Sequence, residues 1–229
     1  LFQHEDPANF FLIKRLDRSI SSAHKIYVQN NLIAKLIFRK YIKIMGSTIS
    51  EKILAKHSSQ EQVQAGDVVV CSVDYAMMTD TRSVNAIQMI GKLGSKNLSF
   101  AGQTAMVMDH YSPPPNEEAA QIHTTMRAFA KETGTKLYDI GEGICHQVLP
   151  EGGHLTCGDL TVGTDTHSVT YGAFNAFGTG IEGTDVSAVM ASGKIWLRVP
   201  ETIGVELKGS LQAGVWAKDL TLFMLGKFG

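Results

Sequence analysis

Leu160-Thr161-Val162-Gly163-Thr164-Asp165-Thr166-His167-Ser168-Val169-Thr170-Tyr171-Gly172-Ala173-Phe174 reads as a strand that ends in chemistry. Leu160, Thr161 and Val162 form a short, apolar, partly β-branched run of the kind that fills a strand. Asp165, Thr166, His167 and Ser168 then place a carboxylate, two hydroxyls and an imidazole at consecutive positions. A helix of small residues is expected to follow, through Phe174 and Phe177. Gly172, Gly178 and Gly180 let backbone segments approach closely around it. Such a strand delivers polar groups to its carboxyl end, where open α/β sheets hold their ligands.

The same plan recurs upstream. Ala105-Met106-Val107-Met108 is a second apolar run, and it ends in Asp109-His110. Tyr111-Ser112-Pro113-Pro114-Pro115 is a stiff loop, because three prolines fix φ and forbid a helix. Asn116 is placed to cap a helix with Glu117 and Glu118 in its first turn and Gly134 as its stop. Lys136-Leu137-Tyr138-Asp139-Ile140 is a third strand, followed by the turn Gly141-Glu142-Gly143 and then by Cys145-His146. Nearer the start, Thr48 or Ser50 can cap a short helix. Val68-Val69-Val70-Cys71-Ser72-Val73 reads as a buried strand, and a helix starts at Asp80-Thr81-Arg82-Ser83. Beyond the opening stretch, Thr184 and Asp185 cap a helix that Gly193 ends. Residues 202–207 read as a strand, and a last helix begins at Lys218. Strand and helix alternate from 66 to 229. That alternation predicts an α/β protein, a three-layer α/β/α arrangement with a largely parallel sheet.

With 229 residues, 44% hydrophobic and 19% charged, the chain is long enough to bury a sizeable core. Its formal net charge of −1 gives no field directed at nucleic acid or an acidic membrane. No apolar run is long enough to span a bilayer. Cys71, Cys145 and Cys157 form no CxxC pattern, which argues for a reducing compartment and against a disulfide framework. A cytoplasmic location follows, or an organellar one if the first segment is a transit peptide. That segment, residues 1–44, is a basic N-terminal extension rich in Lys and Arg and without glycine. Of a transit peptide, a native basic arm and read-through upstream of a true start at Met45, the last is preferred, and the segment is expected to pack poorly.

Three polar groups therefore stand at strand ends: Asp109 with His110, His146, and Asp165 with Thr166 and His167. A carboxylate bonded to a histidine fixes its tautomer and favours its charged form, as acid–base catalysis needs. Hydroxyls at Thr166 and Ser168, next to a helix start, suit a carboxylate or phosphate. His4, His24, His57, His123 and His154 lack this context and read as solvated or loop residues. Cys145 reads as a small buried thiol rather than a nucleophile. No HxH or HExxH spacing supports a metal site, so none is assigned. Gly178-Thr179-Gly180-Ile181-Glu182-Gly183 imitates GxGxxG but follows a helix in this reading, so no dinucleotide site is expected.

Together these motifs resemble the aconitase superfamily, in its branch of 3-isopropylmalate dehydratase large subunits and homoaconitases. The resemblance covers residues 45–229. It rests on Val107-Met108-Asp109-His110, Gly143-Ile144-Cys145-His146-Gln147-Val148 and Gly163-Thr164-Asp165-Thr166-His167-Ser168. It continues through Gly180-Ile181-Glu182-Gly183-Thr184-Asp185-Val186, Val199-Pro200-Glu201-Thr202-Ile203 and Ala217-Lys218-Asp219-Leu220. It implies a hydro-lyase that dehydrates and rehydrates a hydroxy-di- or tricarboxylate, with a 4Fe–4S cluster as Lewis acid. It implies that His110, oriented by Asp109, protonates the departing hydroxyl. His146 pairs with Asp165, Thr166 contacts a substrate carboxylate, and His167 completes the polar wall. This chain has Asp165-Thr166-His167-Ser168 where the family usually has Asp-Ser-His-Thr, so Thr166 adds a methyl. The family's cluster cysteines, the acidic partner of His167 and the substrate-binding arginines lie downstream or on a small subunit. The resemblance thus implies an N-terminal fragment, inactive alone, that works with a small subunit or a C-terminal swivel domain. The rival expectation is a cluster-free carboxylate-binding or regulatory module. The substrate's variable group is not read by these residues, which leaves 3-isopropylmalate, homocitrate/homoaconitate, citrate and dimethylmalate unseparated.

Overall fold

The computed structural model describes residues 11–12, 46–94 and 98–228, so nearly all of the basic extension, with His4 and His24, lies outside the described residues. Two compact units divide the chain, one of them spanning 47–202. This unit is built on a five-stranded parallel sheet: β3 (Tyr75–Thr79), β4 (Thr104–Val107), β5 (Lys136–Tyr138), β6 (Leu160–Gly163) and β7 (Phe177–Gly180), in the order β5-β4-β3-β6-β7. The order reverses at β3: the chain walks outward through β4 to β5, then returns to place β6 on the other flank. Ligands of open α/β sheets gather outside the carboxyl ends of strands at such a switch.

Helices cover both faces, as the α/β/α reading expects. Five are described in this unit: α1 (Ile49–Ser58), α2 (Asp80–Leu93), α3 (Glu117–Thr133), α4 (Cys145–Glu151) and α5 (Gly183–Ser192). The caps follow the side chains available. The Thr48 hydroxyl accepts the Glu51 N–H while Glu51 accepts the Thr48 N–H, and Asn116 accepts the Ala119 N–H at 2.9 Å. The period of two along a strand splits the core. Ala76, Met78 and Met106 join Leu54, Met126 and Val186 on one face, while Tyr75, Met77 and Val107 join Val148, Leu149 and Tyr171 on the other. Strands buried on both faces carry no polar alternation, as β3 and β4 show.

Several elements differ from the sequence expectation. Residues 68–72 do form a strand, β2 (Val68–Ser72), but it alternates exposed and buried residues. It pairs antiparallel with β8 (Lys194–Arg198) in a separate two-stranded sheet. The central strand is β3, whose Ala and Met residues are weak strand formers and did not mark it. The small-residue helix after Asp165 is a 3-10 turn, Thr166–Phe174, ended by Asn175 in the left-handed region. Phe177–Gly180 is the edge strand β7 rather than helix, because Gly178 is needed for contact with that turn.

His57 and His123 are buried, against their reading as solvated or loop residues. His57 reaches the Ile53 carbonyl (2.7 Å) and Asp74 (2.6 Å), and Asp74 also accepts the Leu160 N–H at 2.8 Å. This ties α1 to the starts of β3 and β6. His154 does lie in a loop, half-buried, stacked on Tyr75 and bonded to the Tyr138 hydroxyl.

The second unit includes residues 203–228 and Phe11–Leu12. Its strand β9 is only Glu206–Leu207, shorter than the 202–207 expected, and pairs antiparallel with β1 (Phe11–Leu12). A helix, α6 (Ala217–Phe228), follows, and Trp216, Leu222 and Leu225 are exposed. Among the described residues, no helix is long and apolar enough to cross a membrane.

Candidate active site

Parallel strands end in register, so the residues just beyond them meet. Asp80 follows β3, Asp109 and His110 follow β4, and Asp165 follows β6, all three strands being neighbours in the sheet. Adjacent Asp and His residues would point apart on a strand. Here β4 has ended at Val107, and Asp109 Oδ1 lies 2.7 Å from His110 Nδ1. The other Asp109 oxygen accepts the Cys145 N–H at 2.8 Å, fastening the start of α4 and hence His146. Gly143 has φ +135°, and a Cβ there would meet Val148 at 2.5 Å, so only glycine makes this entry into α4.

Asp165 is the hub. Its Oδ1 takes His146 Nε2 at 2.8 Å, the His167 N–H at 2.8 Å and His167 Nδ1 at 3.1 Å, and its Oδ2 lies 3.4 Å from His110 Nε2. With Nε2 of His146 donating to the carboxylate, Nδ1 accepts the Tyr171 hydroxyl at 3.2 Å. Burial works to raise the Asp165 carboxyl, but the His146 hydrogen bond and the His167 N–H outweigh it and hold it down at about 2. His110 has a carboxylate at each ring nitrogen. Burial works to lower its pKa, but the Asp109 hydrogen bond and the charges of Asp109, Asp80 and Asp165 outweigh it and raise the value. An imidazole that holds its proton more tightly than usual, and is about one-third exposed, is equipped as a general acid.

Asp109, His110, His146, Asp165 and His167 are thus brought together. Thr166 is exposed beside them. Ser168 is not: it is fully buried, and among the described residues its hydroxyl has no hydrogen-bond partner. Within this chain, His167 Nδ1 meets Asp165. Sequence reasoning missed Asp80, read as an ordinary helix start, and Tyr171, whose buried hydroxyl supports His146. Two trios, His146 with Asp165 and His167, and Asp80 with Asp109 and His110, lie close enough to share an ion. Their direct hydrogen bonds and ion pairs already account for that closeness, and we assign no metal to them.

The thiols do not form a cluster site. Cys71 sits in the core on one sheet face, Cys145 in the core on the other, and Cys157 is exposed. Burial first, then Asp109, pushes the Cys145 thiol above its ordinary range, away from the thiolate that binds iron. The described residues therefore do not fit as ligands of an iron–sulfur cluster. Titration of the native chain with a disulfide reagent should modify Cys157 alone, with Cys71 and Cys145 reacting only in denaturant. Rapid reaction of a second thiol would contradict this packing.

The parallel α/β sheet thus brings histidines and carboxylates together at the carboxyl ends of its central strands, where open α/β sheets hold ligands. Residues 51–229 match the family model described as aconitase family (aconitate hydratase), and the chain belongs to that family. It is 45% identical over 186 residues to 3-isopropylmalate dehydratase large subunit 1 of Methanopyrus kandleri, covering 81% of this chain and 44% of that relative. The probable 3-isopropylmalate dehydratase large subunit of Methanothermobacter thermautotrophicus is 42% identical, with the same coverage. The 3-isopropylmalate dehydratase large subunit of Aquifex aeolicus is 40% identical, covering 81% of this chain and 43% of that relative. The chain thus spans less than half the length of these relatives.

Proposed function

We propose that this chain carries the acid–base part of a hydro-lyase large subunit acting on a hydroxy-di- or tricarboxylate such as 3-isopropylmalate. The observation that carries the reading is His110, held between Asp109 and Asp165 with both ring nitrogens facing carboxylates. In this reading the His110 imidazolium donates its proton to the departing hydroxyl, which leaves as water as the carbon–oxygen bond breaks. The adjacent carbon gives its proton to a base outside this histidine–carboxylate cluster, and that C–H electron pair becomes the carbon–carbon double bond. Asp109 and Asp165 hold the ring through the transfer. His146 and His167, fixed on Asp165, line the same wall, and the exposed Thr166 hydroxyl meets a substrate carboxylate. The relatives, large subunits of 3-isopropylmalate dehydratase by name, support the substrate class and a small-subunit partner, a C-terminal swivel domain being the alternative.

The family's 4Fe–4S cluster belongs to this reading only through residues other than those described, and we assign it no step here. Residues 45–229 are the aconitase-like region and 1–44 an extension, which the start of the family match at residue 51 supports. The test is to express the complete reading frame with a small subunit, reconstitute iron and sulfide without oxygen, and assay alkene formation from 3-isopropylmalate. Broad visible absorption with alkene formation is expected, and no turnover from the 229-residue chain alone. A folded, colourless protein that binds the acid without turnover would replace the enzyme by a binding module.

A further inference from the structure

Asp80 is the first residue of α2 and fully buried, with a side-chain exposure of 0%. A buried carboxylate needs donors on every side. Asp80 has three: the His110 N–H at 3.3 Å, the Tyr111 N–H at 2.8 Å and His123 Nε2 at 3.1 Å. The first two are consecutive backbone groups of the loop that carries His110. The third comes from the middle of α3, where His123 is 1% exposed. Among the described residues its other ring nitrogen has no partner, so Asp80 is the one polar group that holds it. One carboxylate thereby joins the ends of β3 and β4 to the flank of α3.

The same carboxylate also faces the imidazole, with Oδ1 3.7 Å from His110 Nδ1. We propose that Asp80, locked by His123, is a positioning residue for His110: it fixes the His110–Tyr111 backbone and adds a buried negative charge behind the ring. This deepens the functional reading above and rests on it for the word catalysis, but the geometry stands on its own. A helix start needs no buried acid bonded to a loop 30 residues away. A cap would bond its own helix, and Thr79, the residue before α2, makes no side-chain cap bond. Asp80 is turned outward from its helix, to the next strand end.

The consequence is measurable on the ring itself. His110 is faced by Asp109, Asp165 and Asp80. His146 and His167 stand behind Asp165, and His123 stands behind Asp80. Its pKa is raised by these carboxylates against the opposing effect of burial. A group raised in the fold adds stability below its unfolded value and loses it as pH rises through the folded value. Removing one of the three charges lowers that upper limit.

The experiment is an NMR titration of the histidine rings in the whole 229-residue chain, with His110 assigned from the resonance missing in His110→Gln. Asp80→Asn keeps the shape and removes the charge. It should lower the His110 midpoint by about one pH unit, in line with an adjacent opposite charge, while the Asp109-bonded ring stays in place. An unchanged midpoint in a folded variant would reduce Asp80 to a purely structural link. If Asp80→Asn does not fold, the unmutated chain decides. The Asp80 carboxyl carbon should show an inflection at the His110 midpoint, and a flat trace would overturn the proposal. Either readout holds even if no hydroxy acid is ever turned over, so failure of the proposed function and failure of this inference remain separable.

Discussion

Asp165→Asn should lower turnover of the assembled enzyme by about 10² to 10⁴-fold, the range of a lost general-acid relay or a wrong histidine tautomer. Asp165 is the shared acceptor of three histidines: His146, His167 and, more distantly, His110. An asparagine has one acceptor oxygen, and its amide would turn N–H groups toward an imidazole N–H. Facing an amide N–H, His146 would take the other tautomer, with Nε2 accepting and Nδ1–H donating to the Tyr171 hydroxyl, and would lose the carboxylate that favours its charged form. The loss should fall on kcat more than KM, because the ring positions change while the exposed Thr166 hydroxyl does not. A loss below tenfold would mean that Asp165 is not the hub.

The pH dependence of stability has a definite sign. Asp165 is held at about 2 in the fold, against about 3.9 for an unfolded aspartate. A depressed carboxyl stabilises above the unfolded value and loses that stabilisation as pH falls through the folded one. Asp165→Asn should therefore be less stable than the parent at neutral pH, and the two should converge as pH falls from about 4 toward 2. Denaturant midpoints at a series of pH values measure this directly.

Gly178→Ala should cost about 3 kcal/mol or more, the upper end of overpacking, and lower Tm by about 6–12 °C. A Cβ on Gly178 would stand 2.2 Å from the Ser168 carbonyl oxygen and 2.9 Å from Tyr171 Cβ. The first neighbour is backbone, which cannot rotate away. Both belong to the 3-10 turn that lies on β7. Relief requires that turn to lift, and Tyr171 would carry its hydroxyl away from His146. Gly172→Ala is the control: it lies in the same turn, a Cβ there meets nothing within 4 Å, and the change should stay within about 0.5 kcal/mol. Equal melting temperatures for the two variants would contradict this packing.

The site was legible where its residues are neighbours in sequence. Asp165-Thr166-His167 and Asp109-His110 each follow an apolar strand, so a polar pair at a strand end was visible without coordinates. Asp80 was not, because one carboxylate at a helix start looks like an ordinary dipole partner, and only the sheet register brings it beside His110. His57 and His123 failed for a related reason. A histidine on a helix gives no sign of its burial until its acid is found, 17 residues on for His57 and 43 residues back for His123. Parallel alternation from β3 onward carried the fold class. The exceptions were strands with unusual composition: Met-rich β3, glycine-rich β7, and β2, whose valines face both core and solvent. Ser168 shows the limit of adjacency, since one residue beyond His167 the turn already points its side chain into the interior.

The register of β4, β3 and β6 also dictates when the cluster comes into being as the chain folds. Asp80, Asp109 and Asp165 are distant in sequence and meet only across parallel strands, whose pairing closes long loops before any contact rewards them. Partly collapsed chains can hold α1 or α3 without bringing these charges together. The approach of His110 to Asp165 is thus a reporter of the seating of β6 against β3. The chemistry of the site and the closing of the sheet are, in time, a single event.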